Sequence, residues 1–294
     1  MKKLLYFLTC LAFPAFAQKI PAEKEWLSLF NGKDLSNWDI KITGYPLGEN
    51  YGNTFRVEND MIRITYDQYK TFDGRFGHMY YKQPFSHYIL RFEYRFTGNQ
   101  TPGGAVWNVR NSGVMFHSQS AQSVSLKQDF PVSLEVQTLG GLSNGKPRPT
   151  ANLCSPGTLV KQKGQVNPLH CIESSSKTYD GDQWVAVEVL VLGDSLIEHH
   201  IDGQTVLAYE HPVTDEYFIS KSNDFEQAGV ADAAFWRARA GKPLTKGYIA
   251  LQAESHPIDF RNLKLLNLKG CMNRRAKNYK AHYVVNDEGA CVFN

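Results

Sequence analysis

Three stretches of this chain place polar side chains at the spacing of one β-strand face. In residues 111–119 (NSGVMFHSQ), Asn111, Gly113, Met115 and His117 fall on one side. In residues 133–137 (SLEVQ), Glu135 and Gln137 do so, and in residues 251–257 (LQAESHP), Gln252, Glu254 and His256. Successive strand side chains point to opposite faces, so each set shares one surface. The alternate positions are apolar: Val114, Phe116, Val132, Leu134, Val136, Leu251 and Ala253 would pack a core, and only Leu139 breaks the pattern. The chemistry such a set offers is proton transfer. An imidazole titrates near neutrality, and a carboxylate can act as a base or hold a cation. We therefore expect Glu135, Gln137, His117, Gln252, Glu254 and His256 to line one cleft. His117, Glu135 and Glu254 are the candidate catalytic groups, and Asn111, Gln137, Gln252 and His256 the candidate substrate contacts. A divalent metal held by Glu135 and His117 is the cofactor this set would take. Trp107 stands beside a glycine-bearing loop at residues 101–105 and is placed to stack on a sugar ring.

Other chemistries lack their residues. There is no HExxH. Residues 140–146 spell GxxxxGK, but Pro147 stands where a phosphate-binding loop needs Ser or Thr. Sandwich glucanases carry E-x-D-x-x-E on one strand. Here Glu135 is kept, Gln137 replaces the Asp and Gly140 the second Glu, so two-carboxylate hydrolysis built on that strand is excluded.

The elements that must position these residues read as strands. Residues 55–58 and 61–65 flank the turn Asn59-Asp60 as a hairpin. Residues 88–96 (YILRFEYRF) alternate throughout, with Ile89, Arg91, Glu93 and Arg95 on the outer side. Further strands are expected at 112–117, 132–139, 184–192, 195–201, 205–209, 248–254 and 258–268; only 224–240 reads as helical or irregular. Helices between strands are missing, so a parallel α/β fold is excluded. The sum is an all-β, jelly-roll sandwich. Trp26, Trp38 and Trp184 are expected in the core, and His199-His200 on the surface. The 294 residues are 42% hydrophobic and 21% charged, which excludes disorder for the bulk of the chain. A net charge of only +3 gives no reason to expect nucleic acid as a partner.

Lys2 and Lys3, the apolar run 4–13 and Ala15-Phe16-Ala17 form a cleavable export signal over residues 1–17. No stretch is long enough for a transmembrane helix. The protein is expected to be periplasmic or secreted, with a carbohydrate as its partner. Four cysteines remain after cleavage, an even number that favours disulfides in an oxidising compartment. Three pairings are open. Cys154–Cys171 with Cys271–Cys291 is preferred, because each pair brackets a polar, turn-rich stretch without a core of its own. Residues 140–176 read as a long insertion whose edge would form the rim of the cleft. The organisation expected is one domain over 18–269 and a small disulfide-linked tail over 270–294.

Several stretches resemble a known family, the 3-keto-disaccharide hydrolase domain. They are residues 26–40 (WLSLFNGKDLSNWDI), 111–119, 133–141 (SLEVQTLGG), 182–203 (DQWVAVEVLVLGDSLIEHHIDG) and 247–268 (GYIALQAESHPIDFRNLKLLNL). The resemblance implies a concanavalin-like jelly roll acting on oxidised glycosides. The chain departs from the family pattern at His117, at Gly140-Gly141 and in the cysteine-bearing insertion. The tail (GCMNRRAKNYKAHYVVNDEGAC) resembles a two-cysteine module appended to exported bacterial proteins. The implied chemistry suits the residue set. A ketone at C3 acidifies the C2 hydrogen, a base removes it, and the enolate expels the group on C1. Water then adds, and the net result is hydrolysis. One base, one electrophile for the enolate oxygen and one acid for the leaving group are enough. A sandwich that binds carbohydrate without catalysis is the alternative, and it needs no base.

Overall fold

Strand His87–Phe96 sets the pattern of the molecule. Tyr88, Leu90, Phe92, Tyr94 and Phe96 are buried, and the residues between them are half-exposed. This strand lies near the middle of a ten-stranded sheet, between Val185–Leu192 and Ile258–Asn267, both antiparallel to it. The sheet continues through Leu196–Ile201, Gln204–Thr214, Thr158–Gln162 and Gln165–Asn167 on one side. On the other side follow Met61–Ile64 and Phe55–Glu58, the hairpin expected from the sequence. The structure is a computed structural model and describes residues 22–293. The export signal expected over residues 1–17 lies outside them.

The second sheet has seven strands, in the order Cys171–Ile172, Asn152–Cys154, Leu134–Leu139, Asn111–Ser118, Tyr248–Ala253, Gly77–Tyr81 and Trp38–Ile42. Every neighbouring pair is antiparallel. Its inner face presents Ile42, Met79, Val114, Leu134, Val136 and Leu251 to the inner face of the first sheet, forming one continuous core. At about 1.5–3 kcal/mol for each large apolar side chain buried, this layer supplies the main driving force for closing the sandwich. The fold is the jelly-roll type read from the sequence, with one short α-helix among the described residues, Ala233–Arg237, inside the stretch that reads as helical or irregular.

Several expectations change. Trp38–Ile42 and Gly77–Tyr81 are two strands beyond those expected; all five residues of GHMYY are buried, so exposure does not alternate along that strand. Residues 140–176 are not a structureless insertion, because they contribute four short strands to the two sheets. Trp26 and Trp38 are buried, but Trp184 lies on the outer face between the guanidinium groups of Arg95 and Arg261, 4.7 and 3.9 Å from its ring. His199 is not at the surface. It is fully buried and bonded to the Ala151 carbonyl and the Tyr209 hydroxyl, each at 2.8 Å.

Both disulfides join the pairs preferred from the sequence, Cys154–Cys171 and Cys271–Cys291. The tail docks on the sandwich. Val284 packs on Trp26, Leu266 and Leu268, and Lys280 pairs with Glu25 at 2.7 Å. Among the described residues no helix is long and apolar enough to cross a membrane.

Candidate active site

The outer face of the seven-stranded sheet carries the candidate residues. Register brings Met115 opposite Glu135 and Gly113 opposite Gln137. On the other side, Val114 pairs with Leu251, so Gln252 stands beside Gly113 and Glu254 follows on the same face. Gly113 is the gap in this surface. A Cβ there would sit 2.2 Å from Glu135 Oε1, so the Glu135 side chain occupies the space that any other residue would fill. It leans across the glycine toward the Glu254 strand.

Glu135 and Glu254 are nearly buried, at 6% and 3% exposure. Burial pushes the Glu135 carboxyl well above the ordinary carboxylate range. Glu254 is raised by burial and by the charge of Glu135, with Arg148 opposing both. Burial opposes the ionisation of each, and the charge of Glu135 opposes that of Glu254, so the pair resists losing both protons at neutral pH.

The rest of the face is short of partners. Asn111 Oδ1, Gln252 Oε1, Glu254 Oε2 and both ring nitrogens of His256 are buried without a hydrogen bond. Buried polar atoms are nearly always paired, and a cluster of exceptions marks a place built for something else to bind. Gln137 is an exception in the other direction: its Oε1 accepts from Asn152 Nδ2 at 3.1 Å. His256 lies beyond a turn at Ser255, whose φ is +76°, with its ring edge-on to Phe96. Burial, with the nearby Arg110 and Arg148, lowers His256 to about 4, so the ring is neutral.

His117 does not join this group. Ser118 pairs with Tyr248 while Met115 pairs with Ala250, so one extra residue is bulged between them. His117 takes a φ of +47° there, and the parity of the strand breaks. Its ring points to the other sheet, where Nε2 meets the Gly193 carbonyl at 2.9 Å. Burial lowers it to about 4. Glu135 and His117 therefore cannot share a metal ion or a proton, and among the described residues no three His, Cys, Asp or Glu side chains converge as a metal site would require.

Trp107 is 56% exposed and lies parallel to Phe76, with ring centres 6.1 Å apart. Segments 119–133 and 215–240 cover the Met115 end of the face through Ala121, Val124, Phe130 and Val132. Residues the spacing did not single out complete the opposite end. Arg148, from the insertion, donates to the carbonyls of Gly140 at 2.5 Å and Val109 at 2.7 Å. Arg110 pairs with Asp182 at 2.9 Å. The arginine directly before Asn111 was the one signal available for this rim. A cavity of about 440 Å³ lies elsewhere, on the outer face of the ten-stranded sheet beside Trp26, Arg91 and His200. Its charges are paired, so we place the chemistry at the carboxylates.

A family model described as the 3-keto-α-glucoside-1,2-lyase-like domain matches residues 25–266. No curated protein matches the chain. Among solved structures, a Parabacteroides distasonis protein provisionally described as a glycosyl hydrolase is 17% identical, with a TM-score of 0.46, covering 83% of this chain and 99% of its own. The carbohydrate-binding module CBM66 from Bacillus subtilis is 10% identical, with a TM-score of 0.41, covering 77% of this chain and 93% of its own. The likeness to both is one of outline.

Proposed function

Because the chain belongs to the 3-keto-α-glucoside-1,2-lyase-like domain family, we propose that it cleaves 3-keto-α-glucosides by elimination across C1 and C2, followed by hydration. The observation that carries this reading is two buried carboxyls, Glu135 lying over Gly113 and Glu254 raised in part by the charge of Glu135. One proton on two carboxyls supplies both groups the reaction needs. The ionised member, Glu135, takes the C2 proton, and the electron pair enters the C2–C3 bond as the ketone becomes an enolate. The enolate then expels the oxygen on C1, which takes its proton from Glu254. Raised pKa values suit both roles, since a base is stronger when its acid form is favoured and an acid must still be protonated at neutral pH. No oxocarbenium ion forms, so the separation rules for glycosidase carboxylates do not apply.

Arg148, Arg110 and His256 stand at the Glu254 end, where the group on C1 would leave. Trp107 offers an exposed aromatic face for a sugar ring. The two disulfides fit an oxidising compartment outside the cytosol. A sandwich that only binds carbohydrate would use Trp107 equally well, but it has no use for two carboxyls buried together. Incubation with 3-keto-trehalose and with trehalose separates the two readings. Turnover of the ketone alone supports the lyase. Binding of either sugar without turnover supports the binding sandwich.

A further inference from the structure

One rung of the seven-stranded sheet leads from its edge to the carboxylates. Lys41 is opposite His78, His78 is opposite Gln252, Gln252 stands beside Gly113, and Gly113 is opposite Gln137. Lys41 is turned away, donating to the carbonyls of Tyr45 at 2.6 Å and Ile42 at 3.5 Å. Gly113 has no side chain. Between those two, the side chains left on the outer face of this rung are those of His78 and Gln252. Both residues are buried, and both His78 Nε2 and Gln252 Oε1 lack a partner. Tyr80 and Phe130 wall the imidazole, their ring centres 6.1 and 6.2 Å from it.

We propose that His78 is a further catalytic residue, whose Nε2–H donates to the C3 carbonyl oxygen of the substrate from the side of the site opposite Glu135. This rests on the lyase reading of the same site. The strands of His78 and Gly113 are two steps apart, about 10 Å, a span comparable with one pyranose ring lying over the face. As Glu135 removes the C2 proton, the carbonyl oxygen gains the charge. A donor already aimed at that oxygen holds it without reorganising. His78 keeps its own proton throughout, because a neutral imidazole is too weak an acid to protonate the enolate, and the enolate is left free to expel the group on C1. Burial does keep the ring neutral, lowering it to about 3. Gln252 Oε1 would accept from a neighbouring sugar hydroxyl.

The probe is 3-keto-1,5-anhydroglucitol, which has a C2 hydrogen but no leaving group on C1. In D2O its C2 exchange, followed by proton NMR, reports proton removal alone. The wild-type protein should catalyse exchange. His78→Leu should slow it about 100-fold with little change in KM, and His78→Gln, which keeps an N–H, should recover part of the loss. Labelling the wild-type histidines with 15N gives a reading that needs no variant: the His78 Nε2–H resonance should shift when the ketone binds. Wild-type exchange in a folded His78→Leu variant, equal loss in both variants, or an unmoved resonance with ketone bound would overturn the assignment of His78 alone. Absence of exchange in the wild-type protein would instead overturn the lyase reading and this proposal with it.

Discussion

The outer faces of the two sheets are both polar, and they treat their charges differently. On the ten-stranded sheet the charges of the central strands meet their opposites. Arg91 pairs with Glu188 at 2.6 Å, Arg261 with Glu93 at 2.7 Å, and Asp259 with both Arg63 and Arg95 at 2.7 Å. Trp184 lies between two of these arginines. On the seven-stranded sheet the charge of Glu135 acts on Glu254, and Asn111 Oδ1, Gln252 Oε1 and both ring nitrogens of His256 are unpaired. The first arrangement satisfies itself and needs nothing from outside. The second carries a standing cost that a bound ligand would relieve. Polarity at strand spacing does not distinguish the two; pairing and burial do.

The largest expected effect separates these faces directly. Glu254→Gln and Glu135→Gln should each lower kcat on a 3-keto-α-glucoside by about 100-fold or more, with the Tm unchanged or raised, because a carboxyl that resists ionisation is being replaced. Glu188→Gln on the other sheet should leave kcat intact and change stability by less than about 1 kcal/mol. Steady-state kinetics and thermal melts on the three variants check this. Equal losses at Glu188 and Glu254 would erase the distinction.

Gly113→Ala is expected to come next. Its Cβ would displace the Glu135 carboxylate, and a shift of about 1 Å in a reacting group lowers kcat by about 100-fold at most. Burial of Glu135 should survive, so the loss should fall in kcat with the fold intact. A fully active Gly113→Ala would mean that the position of Glu135 is unimportant.

His117→Ala sharpens the contrast from within one strand. Its ring is packed between the sheets, so we expect a loss of about 1–3 kcal/mol in urea unfolding, with turnover per folded molecule near that of the wild type. A catalytic loss without a stability loss would return His117 to the site.

Spacing made much of this legible. The i, i+2 pattern placed Glu135, Gln137, Gln252 and Glu254 on one face, because each strand hides an apolar face and a slip of one residue would bury charge in the core. It failed at His117 because a bulge is a property of the partner strand's register, which no single segment records. His78 escaped notice for a different reason. All five residues of GHMYY are buried, so no exposed position marks its outer face. Arg148 comes from residues read as loop, and only tertiary packing brings it near Glu254.

The smallest effect is one of pH. Carboxyls whose folded pKa is raised contribute stability that is complete below about pH 4.5 and is lost as pH rises through the folded values. Buried neutral histidines such as His78 and His199 act oppositely, losing their contribution as pH falls below about 6.5. Between pH 7 and 9 the histidine effect is spent. There the wild-type Tm should fall with pH more steeply than that of the Glu135→Gln/Glu254→Gln double variant. Parallel curves would mean that the two carboxyls ionise normally.

The most direct measurement is turnover of 3-keto-trehalose in D2O, with the products taken in the first minutes and read by NMR and mass spectrometry. Elimination followed by hydration delivers a solvent hydron to C2, so the released 3-keto-glucose should carry deuterium there from the first turnover, and trehalose should stay intact. The Glu254→Gln protein should give almost no product. Release of 3-keto-glucose that still holds its original hydrogen at C2, or equal cleavage of trehalose, would contradict an elimination run by the buried carboxylate pair.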